Sequence, residues 1–243
     1  MLFCLGYPDR ALAQSSAAIA EARRLAHQPS LAVTLAFDAR LLLLVGDNAA
    51  LDERAAQLIA VSTEQSFAYW RALGTIYGGW VKINHGEVAE GIFLLRSGSA
   101  AYRVTGAAAW TPFHLGLLAK ACEIAGRIEE AVNLLDEALQ VVEQTGERWF
   151  EAELNRQKGE LLQQQEQSER AAEQYRRARR IAEEQRAKIW ELRAAVSLAR
   201  LRSNQGRHAE ARDLLTPVCG SFTEGFDTQD LREAKALLDA LKA

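Results

Sequence analysis

Basic residues are not in excess in this chain, where 29 lysines and arginines meet 32 aspartates and glutamates for a formal net charge of −3. Nucleic acid therefore has no electrostatic reason to be its main partner. Long apolar runs are missing as well. The longest strictly apolar one, Leu41 to Val45, falls far short of the roughly 18 residues of a membrane-spanning helix, so no membrane contact is expected. The first ten residues carry no basic group before their apolar stretch and meet Pro8 and Asp9 at once, which does not read as a signal peptide. Cys4, Cys122 and Cys219 are too few and too scattered for a disulfide framework or a zinc site, and they predict reduced thiols in a cytoplasmic protein. What remains, 49% hydrophobic and 25% charged residues, is the composition of an ordinary globular protein with a sizeable core.

The chain repeats itself every 40 residues. Glycine recurs at Gly6, Gly46, Gly86, Gly126 and Gly206, with Glu166 as the break. Five residues on, a small or apolar residue recurs at Ala11, Leu51, Gly91, Ala131, Ala171 and Ala211. A further column is aromatic, Trp70, Trp110, Phe150 and Trp190, and another is small, Ala39, Gly79, Ala119, Gly159 and Ala199. Between these marks the apolar residues follow steps of three and four, as in Ala131, Leu134, Leu135, Ala138, Leu139 and Val142, so each unit reads as two antiparallel helices. Glycine would supply the left-handed residue at the turn. The small column would let helices approach closely, and the aromatic column would fill the wedge between units.

These features predict an all-α protein, a right-handed α-solenoid of tetratricopeptide-like helix-turn-helix repeats with about twelve helices. The expected helices are 8–27, 30–45, 48–64, 67–84, 87–104, 110–125, 127–144, 149–165, 168–186, 188–205, 207–220 and 228–242. The whole of 1–243 is expected to be one solenoid, with units near 1–27, 28–66, 67–106, 107–146, 147–186 and 187–226 and a C-terminal capping helix at 227–243.

Several segments carry a resemblance. Gly146-Glu147-Arg148-Trp149-Phe150-Glu151-Ala152-Glu153-Leu154, then Arg156 and Lys158-Gly159-Glu160-Leu161-Leu162, resembles the C-terminal tetratricopeptide-like region of large bacterial signalling ATPases. In that family the region follows a nucleotide-binding ATPase module and often a class III adenylate/guanylate cyclase domain. Leu5-Gly6-Tyr7-Pro8-Asp9-Arg10, Glu191-Leu192-Arg193-Ala194-Ala195 and Phe222-Thr223-Glu224-Gly225-Phe226-Asp227 are similar to the same region. The resemblance implies a non-catalytic regulatory part of a signalling protein, with ATPase or cyclase domains as partners. Neither engine is present in the sequence. Lys158-Gly159-Glu160 reverses the order a phosphate-binding loop needs, and no aspartate pair sits in a strand-rich context. The chain also begins inside a repeat, Leu2 to Gly6 standing for the last turn of a first helix, as in an excised fragment or a short stand-alone member.

No catalytic residue, metal site or cofactor is expected. His27, His85, His114 and His208 fall in different repeats without ligand spacing, and read as solvated or helix-end residues. The run Arg176, Arg177, Arg179 and Arg180, in a stretch with 15 basic and 10 acidic side chains between 148 and 212, reads as an exposed helix laced by Glu173–Arg177, Arg179–Glu183 and Arg180–Glu184 pairs. The candidate binding residues are Trp80, Lys120, Glu153, Arg156, Glu160, Arg193 and Arg200. Trp80, Lys120, Glu160 and Arg200 share one 40-residue column, while Glu153, Arg156, Glu160 and Gln163 share one side of a helix. Such a mixed-charge concave groove suits an extended protein segment or a small polar signal molecule. A merely solvated face, on a structural spacer or self-association element with no ligand, is the alternative.

Overall fold

The computed structural model describes residues 2–241, and among them there are twelve α-helices and no strand. They are α1 (Pro8–Arg24), α2 (Gln28–Val45), α3 (Asn48–Glu64), α4 (Ala68–Asn84), α5 (Val88–Val104), α6 (Thr111–Ile124), α7 (Ile128–Thr145), α8 (Glu151–Gln164), α9 (Ser168–Glu184), α10 (Lys188–Asn204), α11 (His208–Cys219) and α12 (Gln229–Ala240). The expected end of the last helix at 242 lies outside the described residues.

Both turns of the repeat are built alike. Left-handed backbone recurs at Gly6, Ala26, Gly46, Ser66, Gly86, Gly106, Gly126, Gly146, Glu166, Arg186 and Gly206, every 20 residues rather than every 40. The glycine column marks one turn of each hairpin, and the same geometry closes the other. Glu166 keeps it with φ 61°, at a cost of about 1–2 kcal/mol for a side chain in that region. The bond from the residue after the turn back to the carbonyl five residues earlier closes these ends, as in Glu87 N–H to Lys82 O at 2.9 Å and Arg127 N–H to Cys122 O at 2.8 Å. After Gly106 and Gly146 that bond is absent among the described residues, and a short non-helical stretch precedes the next helix, which is shorter: α6 and α8 have 14 residues each.

The chain divides into two compact units, Arg10–Ala131 and Met1–Asp9 with Val132–Ala243. In the first, α3 packs on α2 and α4, α5 packs on α4 and α6, and α4 also meets α2 and α6. In the second, α9 packs on α8 and α10, α11 on α10 and α12, and α10 also meets α8 and α12. The even-numbered helices in each unit are therefore the neighbouring first helices, and the odd-numbered ones form the second layer. A single stripe suffices to bury a second helix: on α9 it is Ala171, Ala172, Tyr175, Ala178 and Ala182.

The small column is buried as expected, with Ala39, Gly79, Ala119, Gly159 and Ala199 all inside. The aromatic column is only half so. Phe150 and Trp190 are buried, whereas Trp70 and Trp110 are half-exposed. Trp110 itself takes left-handed backbone, φ 67°, which is why α6 begins one residue later than expected. Trp149 and Phe150 likewise sit in a turn before α8.

Residues 2–9 belong to the second unit. Leu2 to Gly6 form a turn in which Phe3 is buried edge-on to Trp190, ring centroids 6.1 Å apart. The Ile189 amide donates to the Cys4 carbonyl at 3.2 Å, and the Gly225 amide donates to Asp9 Oδ2 at 2.9 Å.

With a mean hydropathy of 1.4 over its 18 residues, α2 is long and apolar enough to cross a membrane, which a search for strictly apolar runs overlooks. In this fold it is a core helix. Buried Asp38 accepts from Ser15 Oγ at 2.5 Å and from Arg54 Nε at 2.6 Å, and a helix carrying such groups is expensive to place in lipid.

Candidate ligand-binding face

Steps of three and four place Glu153, Arg156 and Glu160 on one side of α8, and steps of four and three place Arg193, Ser197 and Arg200 on one side of α10. Since α10 meets both α8 and α12, these rows face each other, and Asp230 and Glu233 join them from α12. The result is a paired ladder. Arg156 forks onto Glu153, Nη2 to Oε1 at 2.6 Å and Nε to Oε2 at 2.8 Å, and donates through Nη1 to Glu160 Oε1 at 2.5 Å. Its Nη1 also lies 3.4 Å from Ser197 Oγ. Arg193 forks onto Asp230 at 2.7 and 2.9 Å, with Glu153 3.8 Å away on its other side. Arg200 Nη2 reaches Glu233 Oε2 at 2.8 Å.

Burial would lower the Arg156 and Arg193 pKa values, but the carboxylates outweigh it: Glu153 and Glu160 hold Arg156 well above the usual arginine value, and Asp230 and Glu153 raise Arg193. Both guanidiniums are locked charged and oriented. The Arg193 guanidinium also lies 5.1 Å from the centroid of the Trp190 ring.

Five of the seven expected residues, Glu153, Arg156, Glu160, Arg193 and Arg200, are thus brought together in one unit. Trp80 and Lys120 lie in the other, on α4 and α6; Trp80 is half-buried, and Lys120 Nζ sits 2.8 Å from Glu123 Oε2. Gln163 turns away from the ladder and accepts from Tyr175 Oη at 3.0 Å. Asp230 and Glu233 were missed because the irregular segment between α11 and α12 shifts α12 out of the 40-residue register. Arg40 was missed although it heads the column of Trp80, Lys120, Glu160 and Arg200.

The other candidates resolve as follows. His27 Nδ1 pairs with Ser30 Oγ at 2.8 Å and His208 Nδ1 with Ser203 Oγ at 3.2 Å, and exposed His85 lies 3.8 Å from Asp52. His114 alone is buried; burial, with Arg40 adding to it, pushes its pKa down to about 3. Cys122 is buried beside Glu130, both of which raise its thiol pKa, burial more. On α9 the expected Arg179–Glu183 pair forms at 2.8 Å; ion pairs of Glu173 with Arg177 and of Arg180 with Glu184 do not form among the described residues.

Residues 107–184 match the model of the tetratricopeptide repeat family. An uncharacterized protein of Rhizobium meliloti is 28% identical over 155 residues, which is 64% of this chain and 15% of that protein. The chain thus spans about one seventh of the length of this curated relative. Among solved structures, BtubC (BKLC) from P. vanneervenii superposes with a TM-score of 0.58 over 97% of this chain and 89% of that one, at 16% identity. A Rap protein complexed with competence and sporulation factor superposes with a TM-score of 0.60 over 87% of this chain and 63% of that one, at 14% identity. Together the helical hairpins and these likenesses establish a tetratricopeptide-like repeat fold.

Proposed function

We propose that the chain is a non-catalytic interaction module whose first-helix face binds an extended protein segment, or a small polar signal molecule, within a larger cytoplasmic ATPase or cyclase signalling protein. Tetratricopeptide repeats point to protein interaction, and the Rap structure holds its factor on the same general fold. The larger parent is supported by the sequence resemblance of residues 146–162 and by the greater length of the Rhizobium meliloti relative.

The observation that carries the reading is the ladder of Glu153, Arg156, Glu160, Arg193, Asp230, Arg200 and Glu233. Replacing partly buried ion pairs by apolar side chains is often neutral or stabilising, so stability alone gives no reason for seven such groups on one face. Pre-oriented charges of both signs do suit a polar partner whose own charges and amides can join the rungs.

The test is selection from a displayed random-peptide library on the purified chain, followed by affinity measurement with the selected peptides. Arg156→Gln and Arg193→Gln are expected to weaken binding about tenfold or more, while Arg177→Glu on α9 leaves it unchanged. Loss only with Arg177→Glu would move the site to the outer layer, and failure to select any peptide would favour the spacer.

A further inference from the structure

Between the last turns of α5 and the first turn of α6 lies a narrow pocket lined by Ser99, Tyr102, Arg103, Thr111, His114 and Leu115. Most of its polar groups are unpaired. His114 is 4% exposed, and its Nε2 is buried with no hydrogen-bond partner among the described residues, an arrangement that costs stability. Arg103 is exposed at the rim, and among the described residues neither its guanidinium nor the Ser99 hydroxyl meets a hydrogen-bond or ion-pair partner. Thr111 opens α6, where Trp110 at the N-cap supplies no side-chain bond, so the first main-chain amide has no intrahelical acceptor. Two lining hydroxyls are engaged: Tyr102 Oη lies 3.2 Å from Tyr69 Oη, and Thr111 Oγ1 donates to the Ala108 carbonyl at 2.6 Å.

The balance of these groups selects a ligand. The lining holds one cation and no carboxylate. Burial above all raises the Tyr102 pKa and holds that of His114 near 3, so both are neutral at pH 7. The single charge of Arg103, with the positive end of the α6 dipole beside it, calls for a single negative charge. A neutral imidazole offers one N–H and one lone pair, and a carboxylate at neutral pH can only accept. A singly protonated phosphate group, whose second pKa is about 6, does both. Its oxygens accept from Arg103, Ser99 and the Thr111 amide, and its O–H matches the imidazole in either tautomer. The narrowness of the pocket suits such a head group and leaves the rest of a larger molecule in solvent.

We propose that the pocket between α5 and α6 binds a phosphate group, with Arg103, Ser99 and the start of α6 as donors and His114 as its buried wall. The site belongs to the Arg10–Ala131 unit and does not depend on the ladder of α8, α10 and α12.

The test is NMR of the full chain with ¹⁵N-labelled histidine, the His114 ring signals being identified by their loss in His114→Gln. Inorganic phosphate, methyl phosphate, sulfate and acetate are titrated at about pH 6 and constant ionic strength. The His114 signals are expected to shift and saturate with a phosphate compound and to respond far less to sulfate, which carries no proton, and to acetate. Saturation by inorganic phosphate alone assigns the free ion as ligand, and saturation by methyl phosphate assigns a phosphate ester. Arg103→Gln, an exposed substitution confirmed folded by circular dichroism, is expected to weaken binding about tenfold or more. An equal response to sulfate or acetate would overturn the choice of ligand. His114 signals that none of the four compounds moves, or phosphate binding unchanged in Arg103→Gln, would overturn the site.

Discussion

Gly159 of α8 lies directly beneath the ring of Tyr175 of α9: a Cβ added to it would stand 2.5 Å from Tyr175 Cε1 and 2.7 Å from Cδ1. The ring cannot swing aside cheaply, since Tyr175 is 1% exposed and its hydroxyl is bonded to Gln163. Gly159→Ala is therefore expected to destabilise the chain by about 1–3 kcal/mol through overpacking, read as a lower urea midpoint. Combining it with Tyr175→Leu should cost less than the two substitutions added, because the smaller side chain vacates the clash. Additive costs would show that the glycine is not there for the ring.

Gly159 also shows what the sequence makes legible. A small residue every 40 positions signals close approach, and the structure adds only the partner, Tyr175. Helix number and most helix ends follow from the same periodicity, since packing one stripe and capping one turn are local events that each repeat performs alike. The misses fall where locality fails. Ala26, Ser66 and Arg186 adopt left-handed backbone without glycine, so the 20-residue step was hidden behind a 40-residue one. Asp230 and Glu233 lie beyond the segment that breaks the register, and no column could point to them. Arg40 heads the column but was not singled out, since its burial against Trp110 and Phe37 is a three-dimensional fact.

Arg193 and Asp230 hold α10 to α12 through a two-pronged contact in which neither side chain is more than 21% exposed. Asp230→Ala removes both prongs of this contact, and loss of a charge-assisted bond of this kind costs about 2 kcal/mol. For a chain of this size that lowers Tm by about 4–8 °C. The double substitution Arg193→Met with Asp230→Leu should recover much of the loss, because it removes the stranded charge together with its partner. Calorimetry of the three variants checks both expectations.

His114 makes stability depend on pH with a definite sign. Its pKa of about 3 in the folded chain lies below the ordinary 6.5. Between those values the unfolded chain binds a proton that the folded chain does not, so stability rises with pH there. This contribution is fully present above pH 6.5 and is lost as pH falls toward 3, with a slope of up to about 1.4 kcal/mol per unit. His114→Phe keeps a ring against Tyr102, which His114 meets edge-on at 5.2 Å, and removes the titration. Urea midpoints measured between about pH 4.5 and pH 6.5 should therefore show a shallower slope in the variant; equal slopes would mean that His114 accepts a proton in the folded chain.

Phe3 tests whether the first residues are structural. It is 2% exposed and stands edge-on to Trp190, which also meets Phe150 edge-on at 5.5 Å and donates Nε1–H to the Trp149 carbonyl at 3.0 Å. Removing a buried phenylalanine ring costs about 3–5 kcal/mol when the site cannot collapse, and the fixed Trp190 makes collapse difficult. Phe3→Ala should accordingly lower Tm by about 6 °C or more and alter the near-ultraviolet circular dichroism of the tryptophans. Asp9→Ala, which removes the acceptor for the Gly225 amide, should cost about 1.5–3 kcal/mol, the range for a hydrogen bond to a charged group, and leave the aromatic signal in place. If Phe3→Ala changed neither reading, residues 2–9 would not contribute to the stability of the unit they are packed on.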